Sequence, residues 1–366
     1  VIENIIAARE AGATVMNYTE AEKIEEIADG VIVTARDTLS GGRSIFRSRV
    51  LINAGGPWVD RVRKAGGIDR KRIIYPTKGI HLIVPKLSEQ SLFVASRDGR
   101  MFFIIPMDRW SLIGTTDTKY DGDLDEVHAD RGDVDYLLNE SRRVLPGLNL
   151  TKGSILYTYA GIRPLAFEGE RESRISRKHR VIPEGRTGRI ITIAGGKYTT
   201  YRTMAEDVVD EACKKLGRKA LCVTQRKPLA GSLPAGLDEY MKEAVPQLAE
   251  RFGIGSGTVR HLIHFYGTRA ETILHYTAED PRLAEPISPE SRDILAQVLY
   301  GIREEGAKTI SDVLLRRIHT GITASRGEPQ APKIAGIVAR ERGWNAAEQD
   351  HWVENFREDL MKEKRF

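Results

Sequence analysis

Along the opening stretch VIENIIAAREAGATV, apolar side chains fall at Val1, Ile2, Ile5 and Ile6, one face of a helix, and Gly12 sits where such a helix would end. Neither an N-cap residue nor a strand stands before it, so the segment reads as a continuation and a natural N-terminal part is expected to be missing. Short segments of alternating polarity follow at 13–18, 23–27, 30–35 and 43–53, broken by ADG and TLSGGR; they predict one strand and a small meander. RVLINAGGPWVDRV then runs from a buried strand through Gly55-Gly56-Pro57 into a helix, with Pro57 where a first helical turn tolerates it. That pattern is the edge of a parallel sheet.

From about Ile73 the pattern becomes strand-rich: IIYPTKGIHLIVPK, SLFVAS, MFFIIPMDRWSLIGTTDT, SILYTYAGIRPL and RKHRVIP, with one helix expected over 130–145. Strands of one type set far apart in the chain predict an antiparallel sheet inserted into an α/β domain. IITIAGGKYTTYRTMAEDVV returns to strand, turn and helix. In that helix Tyr201, Met204, Ala205, Val208, Val209, Ala212 and Leu216 form an apolar stripe at period 3.6, Lys214 and Lys215 suit its C-terminal end, and Gly217 caps it. Beyond Pro228 the reading is helical. The expected fold class is therefore α/β, with residues 1–66 and 188–222 in one domain, 67–187 in an antiparallel-sheet domain, and 228–366 in an all-α domain.

Composition narrows the class without naming a chemistry. The chain has 366 residues, 41% hydrophobic and 29% charged, enough for two or three domains with real cores. Lys+Arg 56 against Asp+Glu 51 gives a net charge of +5, a nearly balanced mixture compatible with phosphorylated metabolites, anionic lipid or nucleic acid. Only two cysteines occur, Cys213 and Cys222, with no spacing for zinc or a disulfide framework, so a reducing cytoplasmic setting is expected. No apolar run approaches the roughly 20 residues that cross a bilayer.

Three positions carry candidate chemistry. Gly195-Gly196-Lys197 ends a strand and begins a helix, where free backbone N–H groups and a lysine favour an anion or a cofactor edge; a plain tight turn with a solvated lysine is the alternative. His81 lies in an alternating strand and can accept a proton from a hydroxyl, or serve only as a core histidine. Arg163, among small and apolar residues in AGIRPLAF, needs an anionic partner, either a carboxylate of the protein or a substrate phosphate. His261 and His264 share a helix face without a third ligand nearby, so no metal is expected. GIGSGTVRHLIHFYG has the outline of a helix-turn-helix but few base-reading side chains, and a binding or regulatory module reading DNA is the minority alternative.

Taken together and in this order, VLINAGGPWVDRV, YPTKGIHLIVP, FFIIPMDRWSLIGTTDT, YAGIRPL, SRISRKHRV and ITIAGGKYTTYRTMAEDVV resemble the FAD-dependent, quinone-linked glycerol-3-phosphate dehydrogenases. EGAKTISDVLLRRIHTGI and GWNAAEQDHWVENF resemble that family's helical C-terminal domain. The resemblance implies a glutathione-reductase-like FAD-binding domain, lacking here its G-x-G-x-x-G turn, with an inserted antiparallel substrate domain. It implies oxidation of sn-glycerol 3-phosphate to dihydroxyacetone phosphate, with hydride passing to flavin N5 and electrons to a membrane quinone. His81, Lys197 and Arg163 would be catalytic, and the same three with Arg177 would hold the substrate. Ala54, Gly55, Pro57, Gly195, Gly196, Tyr198 and Thr199 would line the FAD. Further expectations are weak flavin binding by these residues alone, peripheral attachment to an anionic membrane surface on the cytoplasmic side, no nucleic-acid partner and a possible homodimer. A glycerol-3-phosphate oxidase, which releases hydrogen peroxide, is the alternative; its expected extra insertion is not evident.

Overall fold

A computed structural model describes every residue except 69–70, 108, 168–174, 177, 235 and 365, and for 175 and 176 the backbone only. Residue contacts divide the chain into two compact units: Val1–Asn17 with Lys227–Lys362, and Tyr18–Arg226 with Glu363–Phe366.

The helical unit opens with α1 (Ile2–Glu10) and continues with α5 (Leu237–Phe252), α6 (Ser256–Tyr266), α7 (Ala270–Glu279), α8 (Leu295–Arg303), α9 (Ile310–Arg316), α10 (Ala331–Arg342) and α11 (Ala346–Lys362). Helix α1 was expected with residues 1–66 and instead joins this unit. Its polar side chains explain why: Glu3 accepts from the Gly231 amide at 3.1 Å, Arg9 pairs with Glu304 at 2.6 Å, and Glu10 accepts from Arg269 at 2.7 Å, while Ile6 is buried. One apolar core runs through the unit and includes Val259, Leu262, Ile273, Tyr300, Val313, Ile334 and Phe356. His261, weighed above as a metal ligand, is committed to the buried Asp293 at 2.7 Å.

The second unit is built on three sheets. Strands β1 (Thr19–Ile27), β2 (Gly30–Asp37) and β3 (Arg43–Ser48) form an antiparallel meander. The strand expected at 13–18 is absent, because the Asn17 side chain donates to the Gly306 carbonyl at 2.7 Å and holds this stretch to the helical unit. The single strand expected over 43–53 divides into β3, paired antiparallel with β2, and β4 (Leu51–Asn53), which runs parallel to β13 (Ile190–Ala194). β12 (Arg180–Glu184) completes this second sheet in the order β12-β13-β4.

The third sheet has seven strands: β5 (Ile74–Pro85), β6 (Leu92–Ala95), β7 (Met101–Met107), β8 (Trp110–Gly114), β9 (Thr118–Lys119), β10 (Tyr157–Phe167) and β11 (Ile175–Ser176). Its order is β11-β10-β5-β8-β7-β6, with β9 alongside β5. β5 and β10 pair antiparallel from Tyr157↔Ile83 to Ala166↔Ile74. Successive side chains on a strand alternate between faces, so Ile80, Leu82 and Val84 enter the core under α3 (Arg131–Val144) together with Val134, Leu137 and Leu138. The Asp130 and Asp133 side chains form a capping box at the start of α3, and both accept from the buried Lys78 at 2.6 Å.

Helix α2 (Val59–Ala65) follows β4, and α4 (Tyr201–Lys215) follows β13. The stripe expected on α4 is narrower than its pattern: Val208 and Ala212 are buried against Ile191 and Ile193, whereas Tyr201 and Val209 are exposed. On α2 Arg63 is buried and donates to Glu184 of β12 from Nε at 3.0 Å and to Asp60 at 2.7 Å, and Glu184 also accepts from Thr192 of β13 at 2.6 Å. Removing one partner of such a pair leaves a buried charge uncompensated, so Arg63→Met lowers the unfolding free energy by about 3–5 kcal/mol in urea titration, and adding Glu184→Met recovers most of the loss.

Candidate active site

β4 and β13 run parallel with Asn53 opposite Thr192, so the turns that follow them leave the sheet at the same edge. In open α/β sheets that carboxyl edge is where ligands bind. Asn53 holds the first turn, donating from Nδ2 to the Val59 carbonyl at 3.0 Å and accepting the Gly55 amide at 3.1 Å. Ala54 there is exposed, and Gly55 and Pro57 are half-buried. The second turn needs glycine twice. Gly195 and Gly196 have φ of +75° and +88°, and a Cβ on Gly195 would stand 2.8 Å from Ala166 Cβ and 2.9 Å from the Lys178 carbonyl oxygen. Lys197, Tyr198 and Thr199 follow, all exposed, and lead into α4.

Ala166 lies on β10, three residues after Arg163, so the Gly195 turn packs onto the strand that carries the arginine. On the face opposite the α3 core, β10 presents Tyr159, Gly161 and Arg163 and β5 presents Thr77, Gly79 and His81, in register. Arg163 donates from Nη2 to Thr115 Oγ1 and to the Thr116 carbonyl, both at 3.0 Å, and from Nη1 to Asp117 Oδ1 at 3.2 Å. Its guanidinium lies over Gly79: a Cβ there would meet Nη2 at 2.5 Å and Nη1 at 2.8 Å. The guanidinium plane is thus set by the protein before any ligand arrives. A planar, permanently charged fork held this way suits a phosphate or a carboxylate.

His81 is half-buried on the same face. Burial, and then the positive charge of Arg163, push its pKa down from 6.5 to about 4. The imidazole is therefore neutral at physiological pH and able to accept a proton. The face pairs a fixed cation with a neutral base.

The structure thus brings Arg163 and His81 together on one face, and ties the Gly195–Lys197 turn to the end of the same strand. Arg177 lies outside the described residues. Ala54, Gly55 and Pro57 line the neighbouring turn, beside β13. Sequence reasoning missed Tyr159, Gly79, Thr115 and Asp117. The period-2 spacing of Tyr159, Gly161 and Arg163 was a signal for the first of these; Asp117 had none, since it reaches Arg163 in the middle of β10 from the link between β8 and β9, 46 residues away.

A mixed α/β unit with open turns at the carboxyl edge of its parallel strands, joined to an antiparallel sheet, has the architecture of a cofactor-binding α/β enzyme. Residues 1–202 match the family model described as FAD dependent oxidoreductase, and residues 222–349 match the C-terminal domain of alpha-glycerophosphate oxidase. The chain is 35% identical to a glycerol-3-phosphate dehydrogenase of Synechocystis sp. over 98% of its own length and 68% of that protein's. It is 34% identical to glycerol-3-phosphate dehydrogenase 2 of Mycobacterium tuberculosis over 94% of its own length and 59% of that protein's. The structure superposes on the glycerol-3-phosphate dehydrogenase from Bacillus halodurans complexed with FAD with a TM-score of 0.87 and 28% identity, covering 99% of this chain and 72% of that one. The chain belongs to the FAD-dependent oxidoreductase family, within its glycerol-3-phosphate dehydrogenase group.

Gly79 is the position that the Arg163 guanidinium covers. Gly79→Ala pushes the Arg163 guanidinium off Thr115 and Thr116, and because the groups that must give way are side-chain ends and Arg163 is part-exposed, the expected outcome is a urea unfolding midpoint close to that of the wild type. The same variant weakens binding of glycerol 3-phosphate in calorimetry.

Proposed function

We propose that this chain carries the substrate face and the flavin-ring edge of an FAD-dependent enzyme that oxidises sn-glycerol 3-phosphate to dihydroxyacetone phosphate. The observation that carries the reading is the pairing of Arg163 with a neutral His81 on one sheet face. A phosphate ester with an adjacent secondary alcohol asks for that combination. Arg163 binds the phosphate and orients the molecule, and positioning of this kind lowers the barrier before any bond changes. His81 receives the hydroxyl proton on an imidazole nitrogen as C2 becomes a carbonyl carbon. FAD, when bound, supplies the acceptor for the C2 hydride and passes the electrons on. Lys197, at the mouth of the Gly195 turn, adds positive charge on the substrate side, and Arg177 is assigned to the same phosphate.

The residues present suit that cofactor. Gly195 and Gly196 have no room for a Cβ against Ala166, Lys178, Met204 and His179 and turn the chain tightly ahead of α4, whose start carries no side-chain cap and favours negative charge at the edge of a reduced flavin. Ala54, Gly55, Pro57, Gly195, Gly196, Tyr198 and Thr199 would hold it. We further propose a membrane quinone as the electron acceptor, peripheral attachment to the anionic inner face of the cytoplasmic membrane, weak retention of FAD by these 366 residues, and assembly as a homodimer. Among the described residues no helix is long and apolar enough to cross a membrane.

The test is turnover of glycerol 3-phosphate by protein saturated with FAD, following a quinone analogue and hydrogen peroxide in parallel. Reduction of the analogue without matching peroxide is expected, and unphosphorylated glycerol is expected to react at least ~100-fold more slowly because it forgoes the charge-assisted bonds to Arg163. Peroxide in step with substrate would favour an oxidase. Flavin-loaded protein that leaves glycerol 3-phosphate untouched would overturn the assignment.

A further inference from the structure

His81 sits in a slot formed by its two neighbouring strands. On β10 the residue directly opposite is Tyr159, whose ring stacks on the imidazole with centroids 4.8 Å apart and planes 20° apart. On β8 the residue directly opposite is Gly114, and a Cβ there would fall 2.4 Å from His81 Cδ2. The imidazole is therefore flanked by an aromatic face on one side and by bare backbone on the other, with no room for a side chain at Gly114.

We infer that Tyr159 is a positioning residue of the reaction: its ring covers one face of His81, keeping the imidazole dry and in a single orientation for the substrate hydroxyl. The inference rests on the assignment of His81 as the base. Charge alone does not account for the slot. Of the groups around His81, Arg163 is a cation on β10 whose charge is partly offset by Asp117, β8 offers only Gly114 at this level, and Lys78 faces the opposite side of β5, where it is held by Asp130 and Asp133. Burial is the larger cause of the lowered His81 pKa, ahead of Arg163, and the Tyr159 ring lies stacked on the imidazole. Tyr159 itself is 42% exposed, so its replacement removes cover from His81 without opening the core.

The sign follows directly. The neutral imidazole is the form favoured by burial, so losing the ring admits water, stabilises the imidazolium and raises the titration midpoint toward the ordinary value.

The experiment is an NMR titration of the 366-residue chain with labelled histidine, in which the His81 signal is the one lost in His81→Asn. Tyr159→Leu is expected to raise the His81 midpoint by at least about one pH unit, a tenfold change in proton affinity, while Tyr159→Phe, which keeps the ring, leaves it in place. A midpoint unmoved by Tyr159→Leu, in protein whose melting transition is intact, overturns the inference; so does an equal shift in Tyr159→Phe, which would assign the effect to the hydroxyl. This readout needs neither flavin nor substrate. Turnover by His81→Asn at the wild-type rate would instead overturn the assignment of the base, and the two failures are thus distinguishable. In FAD-loaded enzyme the acid limb of kcat/KM is expected to move up with the midpoint in Tyr159→Leu.

Discussion

The pairing of β5 with β10 is the constraint on which the site depends. It is antiparallel and continuous over ten residue pairs from Tyr157↔Ile83 to Ala166↔Ile74, and Ile80, Leu82 and Val84 on one face of β5 are committed to the core under α3. Because side chains alternate with period two, a slip of one residue would carry Ile80, Leu82 and Val84 to the open face and His81 into the core. The apolar face thus fixes the register, and the register places Arg163, Tyr159 and His81 on the other side. No direct hydrogen bond between these three is required to bring them together.

The same pairing reaches the Gly195 turn, the one proposed for the flavin ring. Its last residues, Ala166 and Ile74, meet the second sheet, where Ala166 presses on Gly195 and Ile74 packs with Val59 and Ala194. The buried Arg63, Glu184 and Thr192 cluster then joins α2, β12 and β13 into one support for the two turns. The sheet face proposed for the substrate and the turn proposed for the cofactor are thereby held by packing within one unit. That suits a reaction in which a hydride must pass between two groups placed within contact distance, since small displacements there cost rate steeply.

Much of this was legible in the chain because it is written in local signals. Gly195-Gly196 before an amphipathic helix, the alternation around His81 and an arginine among apolar residues each have a physical meaning at their own position. What stayed hidden depends on partners far away in sequence. Asp117 and Thr115 bind Arg163 across 46 and 48 residues. The role of Gly79 exists only because the Arg163 side chain crosses it. The segment at 13–18 has strand-like alternation, but Asn17 finds its partner at Gly306. Helix α1 reads as a piece of the α/β domain until its ion pairs with Arg269 and Glu304 are seen. On α4, periodicity marks seven apolar positions, yet β13 covers only the stretch around Val208 and Ala212.

The central claim is that Arg163, seated over Gly79, is the anion-binding centre of this face. Calorimetric titration of the chain with sn-glycerol 3-phosphate, beside the same titration of Arg163→Lys, tests it most directly. Lysine keeps the charge and forfeits the planar fork, so the account predicts affinity at least ~10-fold lower in the variant, with glycerol binding to neither protein. Equal affinity for glycerol 3-phosphate in wild type and Arg163→Lys would contradict it.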